Sequence, residues 1–399
     1  MRILFSALTL LCLSCPSAQA QLPQHTMDYK ALAERIVEQL HLEPGEKVIA
    51  LVQPGMFEDF VPHFRYAVMK ARAIDMGVLD VLDPPYPADW DDNIILEGFA
   101  AARDAYLEML KDIDAAVMMP GANPALPAYK ALQILLQEKG GRRRTIHFHW
   151  TDAYSPSGNL TGLTGINVLP GHAPPPMQNI DIVYHNAVLN TDLNALDEHQ
   201  DRFIAAMRNG DVRVTSPVGT DIRFSIGNRD IIQQNGDASA ARMLAGAAFL
   251  DREVEIPGGA VRVAPIESTV QGSVVYPYSA WNGFSVRNAT ISYNDGRIVG
   301  FTADEGEEHL RAEIEAVPDD ARWFREFALG FNPLLSLEVT KSWIGYYGYG
   351  AGIVRLGIGN NHELGGAVTG KYFRWRDLLT DCTVTINGDV WVRDGKFVL

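Results

Sequence analysis

The sequence predicts two domains in series, an α/β domain with a mostly parallel sheet and then a strand-rich α+β domain with mostly antiparallel strands. Three observations carry this. Helical and strand patterns alternate from Asp28 to about Leu189, a helix then ends at Gly210, and beyond it short alternating runs are separated by turn dipeptides. A chain of 399 residues exceeds the size at which one core keeps growing, so two cores are expected. The domains are placed at residues 21–205 and 206–399, after a signal segment at 1–20.

Taken in order, Asp28 suits the N-cap of a helix whose apolar positions Leu32, Ile36, Val37 and Leu40 recur at helical spacing. Strand patterns follow at Lys47 to Val52, Val78 to Leu82, Ala115 to Met119 and Thr145 to Trp150. Helical patterns around Phe60 to Ala71, Ile94 to Leu110 and Ala125 to Glu138 separate them. After the Pro-rich stretch Leu169 to Met177, Ile182 to Val188 reads as a strand and Leu193 to Arg208 as a helix stopped by Gly210. In the second half Val212 to Val214, Ile222 to Ile226, Val261 to Val263, Val286 to Tyr293 and Ile298 to Thr302 read as strands. Asn294-Asp295-Gly296, Asn387-Gly388 and Asp394-Gly395 are hairpin turns. Trp323 to Leu329 reads as helical, and Gly345 to Gly359 as a turn between strands.

The first twenty residues combine Arg2, an apolar run from Ile3 to about Leu13, and Ala18-Gln19-Ala20, the layout of a secretory signal. Cleavage near Ala20 would place the protein in the periplasm or outside the cell, with Cys382 as its remaining cysteine and no intrachain disulfide. No stretch approaches the apolar length of a membrane-spanning helix. A net charge of −15 argues against nucleic acid as a partner. The one basic cluster, Arg142-Arg143-Arg144, reads as a solvated loop before a strand.

His147 and His149 share one face of a strand at a spacing that some metal sites use. No acidic partner is near them in sequence, and they read as strand-end packing or a pocket wall. Arg355 follows Ile353-Val354 in a run expected to be a buried strand, and a buried arginine requires a partner. Neither a Gly-x-Ser-x-Gly elbow nor a His-Glu-x-x-His pair occurs.

Several phrases of the second half recur together: Gly210-Asp211-Val212 with Gly219-Thr220-Asp221-Ile222, then Ile256-Pro257-Gly258-Gly259 running into Val263-Ala264-Pro265. Leu329-Gly330-Phe331-Asn332-Pro333, Gly357-Ile358-Gly359-Asn360 and the hairpin Asn387 to Leu399 complete the series. In order and spacing they resemble the M29 metallopeptidases, the aminopeptidase T and S group. The resemblance implies an α/β N-terminal domain, a strand-rich C-terminal domain carrying a two-metal site, and a homodimer. Residue by residue, the family's first metal glutamate falls on Ala260, its second on Glu326, its histidine on Arg355 and its tyrosine on His362. The late His-x-Asp pair falls on Trp375 and Asp377. A more distant resemblance, to the 2,5-dihydroxypyridine dioxygenases, keeps only Asp377 of a triad of two histidines and an aspartate.

On this basis Glu326, Arg355 and Asp377 are the expected catalytic residues, with His362 and Asn360 as substrate contacts. Glu326, Asp377 and His362 are the candidate ligands should a divalent metal be retained. The expected function is an exported aminopeptidase or related hydrolase of small peptides or amino-acid-like amides. The alternatives are a metal-free binding protein on the same scaffold and a mononuclear, dioxygenase-like enzyme. Arg355 is expected to bridge Glu326 and Asp377 where a metal would have been. The rival arrangement rebuilds a single-metal site from His362 and Glu267.

Overall fold

The helical spacing after Asp28 becomes α1 (Tyr29–Leu40), which buries Leu32, Ala33, Ile36, Val37 and Leu40. The Asp28 carboxylate accepts a hydrogen bond from the Ala31 amide at 2.9 Å, satisfying a donor the helix cannot. There follow β1 (Lys47–Val52), α2 (Phe60–Lys70), β2 (Ile74–Asp80), α3 (Asp92–Leu110), β3 (Ala115–Met118), α4 (Pro127–Leu136) and β4 (Arg144–Phe148). The four strands pair in parallel in the order β2-β1-β3-β4. These features come from a computed structural model that describes residues 26–80, 82, 86–138, 141–150, 166–246, 248–375 and 377–398. The expected signal segment lies outside them. Among the described residues no helix is long and apolar enough to cross a membrane.

β5 (Ile166–Val168) precedes α5 (Met177–Asn190) and α6 (Leu193–Arg208). The strand expected at Ile182 to Val188 is therefore helix. The β-branched residues of that run suggested extended backbone, but Ile180, Tyr184, Ala187 and Val188 are the buried positions, and they recur at helical spacing.

The second half opens with β6 (Asp211–Thr215), β7 (Asp221–Ser225), β8 (Ile231–Gln234) and α7 (Ala240–Leu244), then β9 (Glu253–Ile256) and β10 (Ala260–Val263). β11 (Gln271–Trp281), β12 (Phe284–Asn294) and β13 (Arg297–Thr302) form a meander, followed by α8 (Glu307–Ala316) and β14 (Phe324–Gly330). Next come α9 (Leu337–Thr340), β15 (Trp343–Gly345), β16 (Val354–Gly359), β17 (Phe373–Arg374) and β18 (Leu378–Leu379). β19 (Thr383–Ile386), β20 (Asp389–Arg393) and β21 (Lys396–Phe397) come last. Eight strands form an antiparallel sheet, β13-β12-β11-β7-β6-β19-β20-β21. A second antiparallel sheet runs β17-β16-β14-β10-β8, with β18 also on β16. The helix expected at Trp323 to Leu329 is β14. Its glutamate, alanine and leucine favour helix, but all seven residues are buried between β10 and β16, so cross-strand pairing decides.

β9 leaves its sequence neighbours and pairs in parallel with β4, giving the first sheet the order β2-β1-β3-β4-β9. The turn Ile256-Pro257-Gly258-Gly259 then carries the chain into β10 of the second antiparallel sheet. Gly259 has φ +144°, and a Cβ there would lie 2.6 Å from the Asn332 Cβ, so the position requires glycine. The Asn332 amide donates to the Gly258 carbonyl at 2.8 Å and to Thr191 Oγ1 at 3.0 Å. Two of the sequence phrases thus pack against each other and set the junction between the sheets.

Arg144 corrects the reading of its cluster as solvated, because its side chain is fully buried. Its guanidinium donates to both Glu46 oxygens, at 2.6 and 2.8 Å, and to the carbonyls of Leu40 and Ala238. A buried carboxylate demands this partner. Burial pushes the Glu46 carboxyl up, but the Arg144 and Arg142 bonds outweigh it and hold it at about 2. Because the folded value is depressed, the stabilisation is complete above the unfolded value near 4.5 and is lost as pH falls toward 2. Acid titration of unfolding free energy is expected to lose on the order of 3 kcal/mol more in the wild type than in Glu46→Gln over that window. Parallel curves for the two proteins would contradict the assignment.

Candidate functional site

Side chains two apart on a strand share a face, and residues paired across parallel strands share it too. His147 pairs with Glu255 in the β4–β9 register, and His149 lies one step beyond the end of β4 on the same face. The carboxyl ends of parallel strands, where ligands collect in open α/β sheets, therefore hold two imidazoles and a carboxylate together. Their candidate ligand atoms all lie within 4.8 Å of one another, and among the described residues no other such group of three or more occurs. His147 Nδ1 is 3.6 Å from Glu255 Oε2, which His149 Nε2 also contacts. The two imidazole centroids are 4.0 Å apart.

Burial pushes the His147 imidazole down to about 3 and His149 well below its usual range, so both are neutral at pH 7. It pushes the Glu255 carboxyl well above its ordinary range. Glu253 adds to that, and Arg262 and Arg355 oppose it. Neutral imidazoles offer the lone pairs a divalent cation needs, and such a cation would displace the proton that burial favours on Glu255. Behind them Tyr129 donates to Glu253, whose other oxygen accepts from Gln133 Nε2 at 3.2 Å. The Tyr129 ring meets His147 edge-on at 5.6 Å.

The facing wall comes from the second antiparallel sheet. Arg262 on β10 and Arg355 on β16 both lie opposite Ala328 of β14, and Glu326 shares that face two residues away. Arg262 donates to Glu326 Oε2 through Nε and Nη2, each at 3.2 Å, and Arg355 Nη2 reaches the same oxygen at 3.3 Å. Arg325 Nε reaches Oε1 at 3.3 Å and also pairs with Glu363. Burial alone would raise the Glu326 carboxyl, but these arginines hold it well below the usual carboxylate range. Arg355 lies over the Trp375 and Tyr347 rings at 5.1 and 5.8 Å, and Tyr347 meets His149 edge-on at 4.8 Å. Tyr347 has φ +64°, a conformation that costs a non-glycine residue energy and that fixes its ring between the two walls.

The positions singled out in the sequence separate into three places. Ala260, Glu326 and Arg355 share one face of the sheet, with Ala260 packed beside Tyr349 and Leu335. Asp377 is held by both arms of Arg374, at 2.6 and 2.8 Å, so Arg355 reaches Glu326 and does not bridge to Asp377. His362 is exposed, its amide tied to Asn360 Oδ1 at 3.0 Å, while Asn360 Nδ2 donates to the Gly370 carbonyl at 3.0 Å. Asn360 thus shapes a turn. Glu267 is engaged by Arg229, Asn361 and the Ala367 amide. Glu326, Asp377 and His362 do not come together as a ligand group, and the two-metal set of the M29 enzymes does not fit these residues. Where the resemblance placed its other ligands stand a guanidinium, an indole and a methyl group, of Arg355, Trp375 and Ala260.

Sequence reasoning had His147 and His149 on one face but not their acid. Glu255 lies more than a hundred residues away and arrives only because β9 pairs with β4.

A parallel α/β sheet and two antiparallel sheets thus meet around two histidines and a glutamate. Residues 191–338 match the family model of the M29 peptidases, described as thermophilic metalloproteases. The fold is shared with AmpT from Thermus thermophilus, at TM-score 0.57 and 18% identity over 93% of this chain and 100% of that one. It is equally shared with a 2,5-dihydroxypyridine dioxygenase from Pseudomonas putida KT2440, at TM-score 0.57 and 15% identity over 93% of this chain and 96% of that one. No curated protein matches the sequence.

Proposed function

We propose that the protein is a single-metal enzyme whose divalent cation is held by His147, His149 and Glu255 at the junction of the sheets, with hydrolysis of a small amide as its reaction. The convergence of those three buried side chains carries the reading. Three protein ligands leave positions for water and substrate, and a divalent cation there would supply Lewis-acid polarisation and a water of lowered pKa. The chain's own residues orient and enclose. Tyr129 and Gln133 hold Glu253 behind the site, Tyr347 packs over His149, and Glu326 neutralises part of the arginine charge opposite. The peptidase-like fold and the M29 segment support hydrolysis.

A second reading, oxygenation by a mononuclear iron, is favoured by one observation. Two histidines and one carboxylate are the donor set of non-haem iron oxygenases.

The test is elemental analysis of protein purified without chelator from its native source. About one divalent metal per chain is expected, with turnover of aminoacyl anilides. Iron together with dioxygen consumption would select the second reading. Two metals per chain would restore the two-metal site, and none would refute a metal centre.

A further inference from the structure

Across the junction from His147, His149 and Glu255, two polar atoms are buried with no hydrogen-bond partner: the Tyr349 hydroxyl and Arg355 Nε. Tyr349 is 2% exposed and Arg355 1%. Buried donors left unmade are costly, and Arg355 is among the charges that act on the Tyr349 hydroxyl, so the two imply an occupant that completes them. Their surroundings give its charge. Tyr349 interacts electrostatically with Glu255, Arg262, Arg355 and Glu326, so its hydroxyl lies among both walls of the site. Arg262 and Arg355 share the single Glu326 carboxylate, and Arg325 divides itself between Glu326 and Glu363. The facing wall therefore keeps a net positive charge after all its own pairs are made.

We infer that this wall is the substrate's anchor and that it binds a carboxylate, which accepts from the Tyr349 hydroxyl and Arg355 Nε. Two donors match the two oxygens of a carboxylate, whereas a phosphate presents three or more oxygens that would need further donors. A phenol is protonated at physiological pH, so Tyr349 can donate to an acceptor there. This inference rests on the proposed metal centre for its orientation. A carboxylate anchored on the arginine wall leaves the rest of a small molecule to face His147, His149 and Glu255. The substrate class is then a small amide or amide-like compound carrying a carboxylate.

The experiment measures the melting temperature of the purified holoprotein with acetate, N-acetylglycine, N-acetylglycinamide or phosphate, each against chloride at equal ionic strength. Metal content is determined on the same samples. Wild type is expected to be stabilised by acetate and by N-acetylglycine, and not by the neutral amide. Tyr349→Phe should melt at or slightly above the wild-type temperature without ligand, because it removes an unsatisfied hydroxyl. It should lose at least tenfold in affinity for N-acetylglycine while its metal content stays unchanged.

No response to either carboxylate overturns the inference, as does equal stabilisation of Tyr349→Phe. Response to phosphate alone overturns the choice of carboxylate. Carboxylate binding that depends on Tyr349 in a protein without metal leaves the anchor standing and removes the metal centre. Metal without that dependence does the reverse.

Discussion

Glu255→Gln is expected to abolish metal binding, taking the content from about one divalent ion per chain to a small fraction of one after dialysis. Glu255 is the only anion among the three ligands, and an amide oxygen is a far weaker partner for a dication than a carboxylate. The stability change should differ in sign between the two forms. In wild type the proposed metal should stabilise the fold by mass action, about 4 kcal/mol at a thousandfold excess over the dissociation constant, and chelator should remove this. In the variant chelator should do nothing. Without metal, Glu255→Gln should be the more stable protein, because burial penalises the Glu255 charge and an amide carries none. Melting curves of both proteins, with and without chelator, check all three statements. Retention of stoichiometric metal by the variant would remove Glu255 from the site.

Glu326→Ala should be among the most destabilising single changes in the second half, at about 3–5 kcal/mol. Glu326 is fully buried and receives Arg262, Arg325 and Arg355. Its loss leaves three guanidinium groups in a low-dielectric interior with one remaining anion, Glu363, at the edge. Arg355→Ala should cost less, since Glu326 then keeps two arginines and no charge is left alone. Urea unfolding of the two variants gives the ordering, and a larger cost for Arg355→Ala would contradict the cluster as described.

The pH dependence follows from the same contacts. The Glu326 carboxyl is held below its usual range against the opposing effect of burial, so its contribution is complete above the unfolded value near 4.5 and fades as pH falls below it. Glu326→Ala should flatten that part of the stability profile.

Much of this molecule follows from local pattern. The spacing of Leu32, Ile36, Val37 and Leu40 is enough for α1, and β1 after Lys47 and all of β3 are continuous apolar runs of the kind that parallel sheets bury. Asn294-Asp295-Gly296 closes the β12–β13 hairpin because Asp295 and Gly296 accept the left-handed backbone the turn needs. The errors fall where tertiary context overrides propensity. Helix-favouring residues became β14 because two neighbouring strands enclose it, and a β-branched run became α5 because its helical face is the one the core accepts.

By itself, the sequence determined most of the element order and the change from parallel to antiparallel architecture. Each of these is written in residues close together or in a motif. Only the tertiary structure decided which side chains meet at the junction of the sheets. His147 and His149 have no acid until β9 docks beside β4. Arg355 was expected to bridge Glu326 and Asp377, yet Arg374 takes Asp377 because it stands three residues away and reaches it with two bonds. Strand pairing brings together residues a hundred or more positions apart, and spacing along the chain carries no record of which strands will meet.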